Sequence, residues 1–280
     1  MTLIGEDAVP RDEPPRRRGT ATLVFDIETI PDIELGRKVY DVPDLADEDV
    51  ARIMFFKQKQ ARQTEFLPLP MHRIVAISGV MRTANDVRIF SLGAEGEPEE
   101  EIVRRFFDGL ERTSPELVSW NGCGFDLPVL HYRCLKHSIS AARYWEMGDT
   151  DPAFRFNNYV NRFHWRHLDL MDVLSGYQGS GRASLELVAQ LCGLPGKLGM
   201  SGDRVWDAWR QGDLATICNY CETDALNTYL VYLRFQLIRG VYDRERYAAE
   251  TERLEAKLDE SGKPHLSAFL SAWRSSRGSG

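Results

Sequence analysis

The sequence has no apolar run approaching the roughly 18–20 residues that a membrane span needs. Its opening, MTLIGEDAVPRDEPPRRRGT, lacks the apolar centre of a secretion signal. Cysteine is scarce, with five in 280 residues (Cys123, Cys134, Cys192, Cys218 and Cys221). An odd, thin set argues against a disulfide framework and for reduced thiols, so a soluble cytoplasmic protein is expected. Positive charge is also in deficit: 35 Lys and Arg against 42 Asp and Glu give a formal net charge of −7. That disfavours a protein that coats duplex nucleic acid. It leaves open an enzyme whose acids hold divalent cations, because bound cations then present the positive charge to phosphate. Internal repeats are absent. What is abundant is apolar material, 43% of residues, enough to bury a substantial core in one large domain or two small ones.

Residues 1–20 combine prolines and glycines with RRR at 16–18, a composition that reads as a mobile basic arm outside the fold. TLVFDIETI (22–30) then predicts a strand. HRIVAISGVMR (72–82) and DVRIFSLG (86–93), separated by TAN, predict a hairpin. EPEEEIVRRFFDGLERT carries Ile102, Val103, Phe106, Phe107 and Leu110 at helical spacing behind an acidic first turn. PELVSWN (115–121) predicts a short buried strand, and DLPVLHYRCLKHS a helix starting at Asp126 with Pro128 in its first turn. Helices dominate the remainder, including a long one over 213–240 that ends at Gly240, followed by a charged helix and a short amphipathic piece. Strands, then alternation, then helices, predict an α/β domain with a central mixed sheet of about five strands flanked by helices. The expected division is 21–240 for that domain and 241–280 for a C-terminal helical extension and tail. The stretches 32–71 and 140–166 are too long for plain connections and are candidate lids or substrate-facing elements.

Three acidic segments carry chemistry. Asp26 and Glu28 lie two apart on a strand, so both side chains project to one face near its end. They are either oxygen ligands for hard cations or solvated acids where a strand stops. In SWNGCGFDLPVL, Asp126 follows a strand and opens a helix, where an N-cap is the ordinary role. In NYCETDALNTY, Asp224 is mid-helix and Tyr220 precedes it by one turn on the same face. A mid-helix aspartate ordinarily faces water.

Together, a strand-end D-x-E, an N-x-x-x-F-D at a helix start and a Y-x-x-x-D in a late helix resemble the DEDD superfamily of 3′-to-5′ exonucleases. Within it they resemble the tyrosine subclass, DEDDy, which includes the proofreading domains of family B DNA polymerases. The likeness covers roughly residues 20 to 240. LPMHRIVAISG, HLDLMDVLS and PGKLGMSGDRVW make the chain most similar to the stand-alone bacterial group related to the polymerase B exonuclease domain. The histidine subclass would carry His five positions before the last Asp, where this chain has Asn219. The resemblance implies a ribonuclease H-like fold, two divalent cations (Mg²⁺ or Mn²⁺), and stepwise release of nucleoside monophosphates from the 3′ end of single-stranded DNA. It implies Asp26, Glu28, Asp126 and Asp224 as metal ligands and Tyr220 as the residue that orients the attacking water. RNA is the alternative substrate. A catalytically weak nucleic-acid-binding module is the alternative of another class, opposed by the presence of all five side chains.

Oxygen ligands suit Mg²⁺ and Mn²⁺, whereas Cys or His ligands would point to zinc. Tyr220, with an ordinary phenol pKa near 10, is a poor base at neutral pH and better suited to holding water. The same resemblance places the terminal nucleotide on Thr29, Ile30 and Pro31. Asn121 is a candidate for the sugar-phosphate, Phe125 for stacking or packing, and Lys197, among the glycines of PGKLGMSG, for a phosphate. Cys218 and Cys221 form C-x-x-C on a helix without a second pair, a weak zinc signal, and His131, His137, His164 and His167 are scattered. Asp169 and Asp172 are spaced i,i+3; Asp169 is expected to support the acidic site or cap a helix.

Overall fold

The computed structural model describes residues 21–277, so the basic arm expected over 1–20 and the last three residues of the tail lie outside the described residues. Five strands, β1 (Thr22–Pro31), β2 (His72–Arg82), β3 (Val87–Leu92), β4 (Glu116–Ser119) and β5 (His167–Asp169), form one mixed sheet in the order β3-β2-β1-β4-β5. β1 is antiparallel to β2 and parallel to β4; β2 and β3 form the antiparallel hairpin, and β5 runs parallel to β4. This is the flanked five-stranded α/β sheet that the sequence predicts. β1 does not stop on its acids. It runs on to Pro31 through a register shift between Glu28 and Thr29, because β2 continues opposite it as far as His72.

Alternation along β1 sorts its side chains into two layers. Leu23, Phe25 and Ile27 join one core cluster with α3 (Glu99–Thr113) and α4 (Asp126–His137), through Phe106, Phe107, Leu127 and Leu130. Val24 faces the opposite way, into a cluster with Leu226 and Tyr229 of the long helix α9 (Leu214–Ile238). Asp26 and Glu28 share the parity of Val24, so they project toward α9. That helix is buried on nearly all sides because α7 (Leu185–Leu191), α8 (Val205–Arg210), α10 (Arg244–Glu260) and α11 (Pro264–Arg277) pack around it. Leu254, Leu258, Leu266, Phe269 and Trp273 of the C-terminal helices belong to the same cluster as Val24 and Val80 of the sheet. Polar ties reinforce the seam: Arg82 of β2 pairs with Glu250 of α10 at 2.5 Å, and Glu222 of α9 accepts from Lys263 at 3.0 Å and binds His265 at 2.6 Å.

The long stretch 32–71 folds into α1 (Ile33–Tyr40) and α2 (Asp47–Arg62), with a small core of Val50, Met54, Leu67 and Met71. Asp32 caps α1 and anchors the stretch to α4 through the buried guanidinium of Arg133 at 2.8 Å and through Lys136 at 2.9 Å. The stretch 140–166, containing α5 (Ala142–Trp145), is held by core residues Tyr144, Phe154 and Tyr159, and leads through β5 into α6 (Leu170–Leu174). Among the described residues no helix is long and apolar enough to cross a membrane.

Candidate active site

A cavity of about 380 Å³ opens where β1, the β4–α4 loop and α9 meet, and Asp26, Glu28, Asp126, Tyr220 and Asp224 all line it. Four acids from three distant segments therefore share one hollow, with Asp126, Glu28 and Asp224 at most 9% exposed. Asp26 is half-buried. Asp126 is the first residue of α4 and does not cap it; the preceding Phe125 occupies the cap position without a side-chain bond.

The loop that delivers Asp126 is pinned from β5. Asp169 accepts the backbone N–H groups of Asn121 and Cys123, both at 2.9 Å, while also capping α6 through Met171 N at 3.1 Å. Asn121 has a left-handed backbone, φ 65°. Next to it, Gly122 lies so close to β4 that a Cβ there would fall 2.2 Å from Ser119 Oγ. The lysine loop is tied to α9 just beyond Asp224: Asn227 accepts from Gly196 N at 3.1 Å and donates to its carbonyl at 2.8 Å.

Crowded anions out of water resist ionisation. Burial, then the charges of Asp126, Glu28 and Asp224, hold the Asp26 carboxyl well above its ordinary range. Glu28 is raised likewise by burial and by Asp224 and Asp126, against a lowering pull from Lys197. Burial pushes Asp126 up to about 7, although the Ile27 backbone N–H opposes it, and pushes Asp224 up to about 6 against Tyr220 and Lys197. One carboxylate oxygen of Asp224, Oδ1, is buried with no hydrogen-bond partner among the described residues. An orphaned buried oxygen beside three other carboxyls fits a hard divalent cation, which would supply the missing partner and offset the repulsion. The Cys221 thiol donates to the Asp26 carbonyl at 3.3 Å, and burial raises it well above its usual value, so it stays neutral. Cys218 packs with Ile30 and Tyr220.

Around the acids the lining is aromatic. Phe125 lies 5.5 Å from Phe66 and 5.1 Å from His72, and Phe66 is 5.2 Å from His72, ring to ring. Thr29 Oγ1 bonds His72 Nδ1 at 2.8 Å. Asn121 and Phe125 line the cavity, whereas Thr29, Ile30 and Pro31 do not. Ile30 is 3% exposed and packs with Tyr220 in the core. Lys197 places its ammonium 5.7 Å from the Tyr220 ring without lining the cavity. Ile27, Phe66, Trp120, Gly124 and Arg182 also line it and were not singled out from the sequence. Of these, Ile27 lies inside the D-x-E of TLVFDIETI and Trp120 and Gly124 inside SWNGCGFD, whereas Phe66 and Arg182 had no sequence signal. His131 and His167 are driven down to about 4 by burial and sit away from the cavity lining.

The fold and its hollow define an α/β protein with four carboxyls gathered at one side of its sheet, and comparison with known proteins gives its class. The family described as predicted 3′-5′ exonucleases related to the exonuclease domain of PolB matches residues 64–273, and the chain belongs to that family. It is therefore an enzyme of the 3′-5′ exonuclease class, which implies a nucleic-acid substrate and, generally, dependence on metal ions. The matched span contains Asp126, Tyr220 and Asp224 and begins after Asp26 and Glu28. Over 143 residues the chain is 27% identical to the catalytic polypeptide of DNA polymerase epsilon from Dictyostelium discoideum, a match that covers 50% of this chain and 6% of that protein. It thus spans a small fraction of that relative's length. Its structure is similar to that of the family B DNA polymerase from the hyperthermophilic archaeon Pyrobaculum calidifontis, with a TM-score of 0.48, 18% identity, and coverage of 75% of this chain and 24% of the polymerase.

Proposed function

We propose that this protein is a metal-dependent 3′-5′ exonuclease of the tyrosine subclass that releases nucleoside monophosphates from the 3′ ends of single-stranded DNA. The observation that carries this reading is the convergence of Asp26, Glu28, Asp126, Asp224 and Tyr220 on one cavity. Asp26, Glu28, Asp126 and Asp224 would hold two divalent cations, Mg²⁺ or Mn²⁺. Bound there, such cations supply positive charge toward the attacking and leaving oxygens of a phosphodiester. The chain's own residues do the positioning. Tyr220 is held above its ordinary pKa by burial and by Asp224, so at neutral pH its hydroxyl is intact and orients a water molecule. Phe125 and Phe66 offer apolar faces to the terminal base, and Asn121 a polar edge to its sugar-phosphate. Residues 21–240 form the exonuclease domain and the C-terminal helices an extension that braces α9.

The test uses 5′-labelled DNA and RNA oligonucleotides with Mg²⁺, Mn²⁺ or EDTA, beside Asp224→Ala. A ladder shortening from the 3′ end, dependent on metal and abolished in Asp224→Ala, supports the reading; internal cuts or activity in EDTA overturn it. Faster shortening of RNA than of DNA would reassign the substrate. Tyr220→Phe is expected to lower kcat by about 10²-fold while melting temperature and metal binding stay close to the parent's.

A further inference from the structure

The cavity contains a single cation among its described lining residues, Arg182, in a site otherwise dominated by four acids. Its placement is set by a buried carboxylate. Asp172 of α6 is 1% exposed, accepts from Arg182 Nη2 at 2.8 Å and from Arg162 Nε at 2.9 Å, and has Arg162 Nη2 at ion-pair distance, also 2.9 Å. One guanidinium suffices to neutralise one carboxylate, so the triad carries a surplus positive charge. The two arginine side chains remain 43% and 38% exposed, anchored at one edge and open at the other. Among the described residues, the Arg182 guanidinium is engaged only through Nη2, which leaves the rest of its planar fork for an outside acceptor.

Aromatic rings accompany the pair. Arg162 lies 5.5 Å from the centroid of Tyr177, whose ring is 4.9 Å from that of Phe163, itself 63% exposed. Tyr177 holds a left-handed backbone, φ 61°, and its N–H bonds the Asp172 carbonyl at 2.7 Å. Arginines beside exposed aromatic rings are the elements from which single-strand grooves are built. The placement is rigid relative to the chemistry, because Asp172 stands three residues after the Asp169 that pins the Asn121–Cys123 loop. Cations held by the four acids would face the scissile phosphate; the preceding phosphates of the same strand need another counter-charge in a chain of net charge −7.

We propose that Arg162 and Arg182, fixed as a pair by Asp172, form a subsite that grips the phosphodiester backbone of the single strand on the 5′ side of the scissile linkage. This rests on the exonuclease reading for what occupies the cavity. The arginines are positioning residues.

The test measures kcat and KM on 5′-labelled strands of two, four and eight nucleotides over a range of salt. Three proteins are compared: the parent, Arg182→Gln, and the triple variant Arg162→Gln/Asp172→Asn/Arg182→Gln. The triple variant removes the buried carboxylate together with both partners, and its melting curve checks that it folds. Binding of a dye-labelled eight-nucleotide strand in EDTA is followed in parallel. Arg182→Gln is expected to raise KM for the longer strands about tenfold, with a smaller effect on kcat and on the dinucleotide. It should flatten the dependence of log affinity on log salt by about 0.7 for each phosphate no longer gripped. Parent-like KM and salt slope in both variants, or equal losses at every strand length, would overturn the subsite. If the parent cleaves nothing, the exonuclease reading fails and the binding arm still decides: weaker, less salt-sensitive binding by Arg182→Gln supports the grip, and unchanged binding overturns it. A parent that does not bind the strand overturns both.

Discussion

Removing metal should make the folded protein lose stability as pH rises from 7 to 8, and the acid cluster should be the cause. In the unfolded chain, carboxyls titrate near their ordinary values and are fully ionised throughout this window. In the folded protein Asp126 lies near 7, and Asp26 and Glu28 lie well above their ordinary values. A folded-state pKa raised above the unfolded one means that the native state holds a proton the unfolded chain has already lost. The associated stability is complete below the unfolded pKa and disappears as pH climbs through the folded value. Each proton so retained costs about 1.4 kcal/mol per pH unit. For a chain of this size, one fully retained proton corresponds to a fall in Tm of roughly 2–3 °C per pH unit, and Asp126, near 7, supplies part of one between pH 7 and 8. The buried histidines do not interfere, because His131 and His167, lowered to about 4, are neutral there in the folded state and largely so when unfolded. Raised cysteine thiols act in the same direction above pH 8, which calls for a control that keeps them. The assay is calorimetric melting in EDTA of the parent and of Asp26→Asn/Glu28→Gln/Asp126→Asn/Asp224→Asn, at half-unit pH steps. The parent's Tm should fall more steeply than the variant's. Saturating Mn²⁺ should flatten or reverse the parent's slope and leave the variant's unchanged, because metal binds the ionised form and competes with protons. Equal slopes in EDTA, or an equal Mn²⁺ response, would refute the electrostatic account of the cluster.

Other outcomes follow from the packing. Asp169→Ala removes the acceptor for Asn121 N, Cys123 N and Met171 N. It should cost about 2–3 kcal/mol in chemical denaturation and lower exonuclease rate more than it lowers metal affinity. Gly122→Ala forces a methyl against Ser119; oligonucleotide cleavage should drop at least tenfold, with far-ultraviolet circular dichroism preserved. Trp273→Ala opens a hole where a side chain is 1% exposed, and a loss of about 3–5 kcal/mol in a single cooperative unfolding transition is expected.

Much of the scaffold was legible because it is local. The β-rich runs HRIVAISGVMR and DVRIFSLG and the short polar turn between them predict the hairpin of β2 and β3, and the periodicity of Ile102, Phe106 and Leu110 predicts α3. The spacing of Tyr220 and Asp224 placed both on one helix face, and the geometry brings them to the same cavity. What period-two reasoning cannot see is the register shift after Glu28, which carries β1 onward and buries Ile30 against Tyr220. The helix start at Asp169 has a sequence signature; its bonds to Asn121 and Cys123, 48 and 46 residues away, do not. Phe66 and Arg182 reach the cavity only because distant segments meet there, and single residues of these types occur throughout the sequence. The stretch 32–71 was correctly too long for a loop, but its helices and its anchorage to Arg133 depend on contacts made across the fold.

β1 precedes in the chain both of the strands that flank it and the helix that covers its acidic face. β1 needs β2 and β4 at its edges and α9 on its acidic face, and the cluster around Val24 is completed by Leu266, Phe269 and Trp273. During synthesis β1 must therefore wait with its apolar side chains incompletely sheltered until α9, α10 and α11 have emerged. Completion of that cluster is delayed until α11 has left the ribosome, and nascent chains stalled before α11 should depend on chaperones to remain unaggregated.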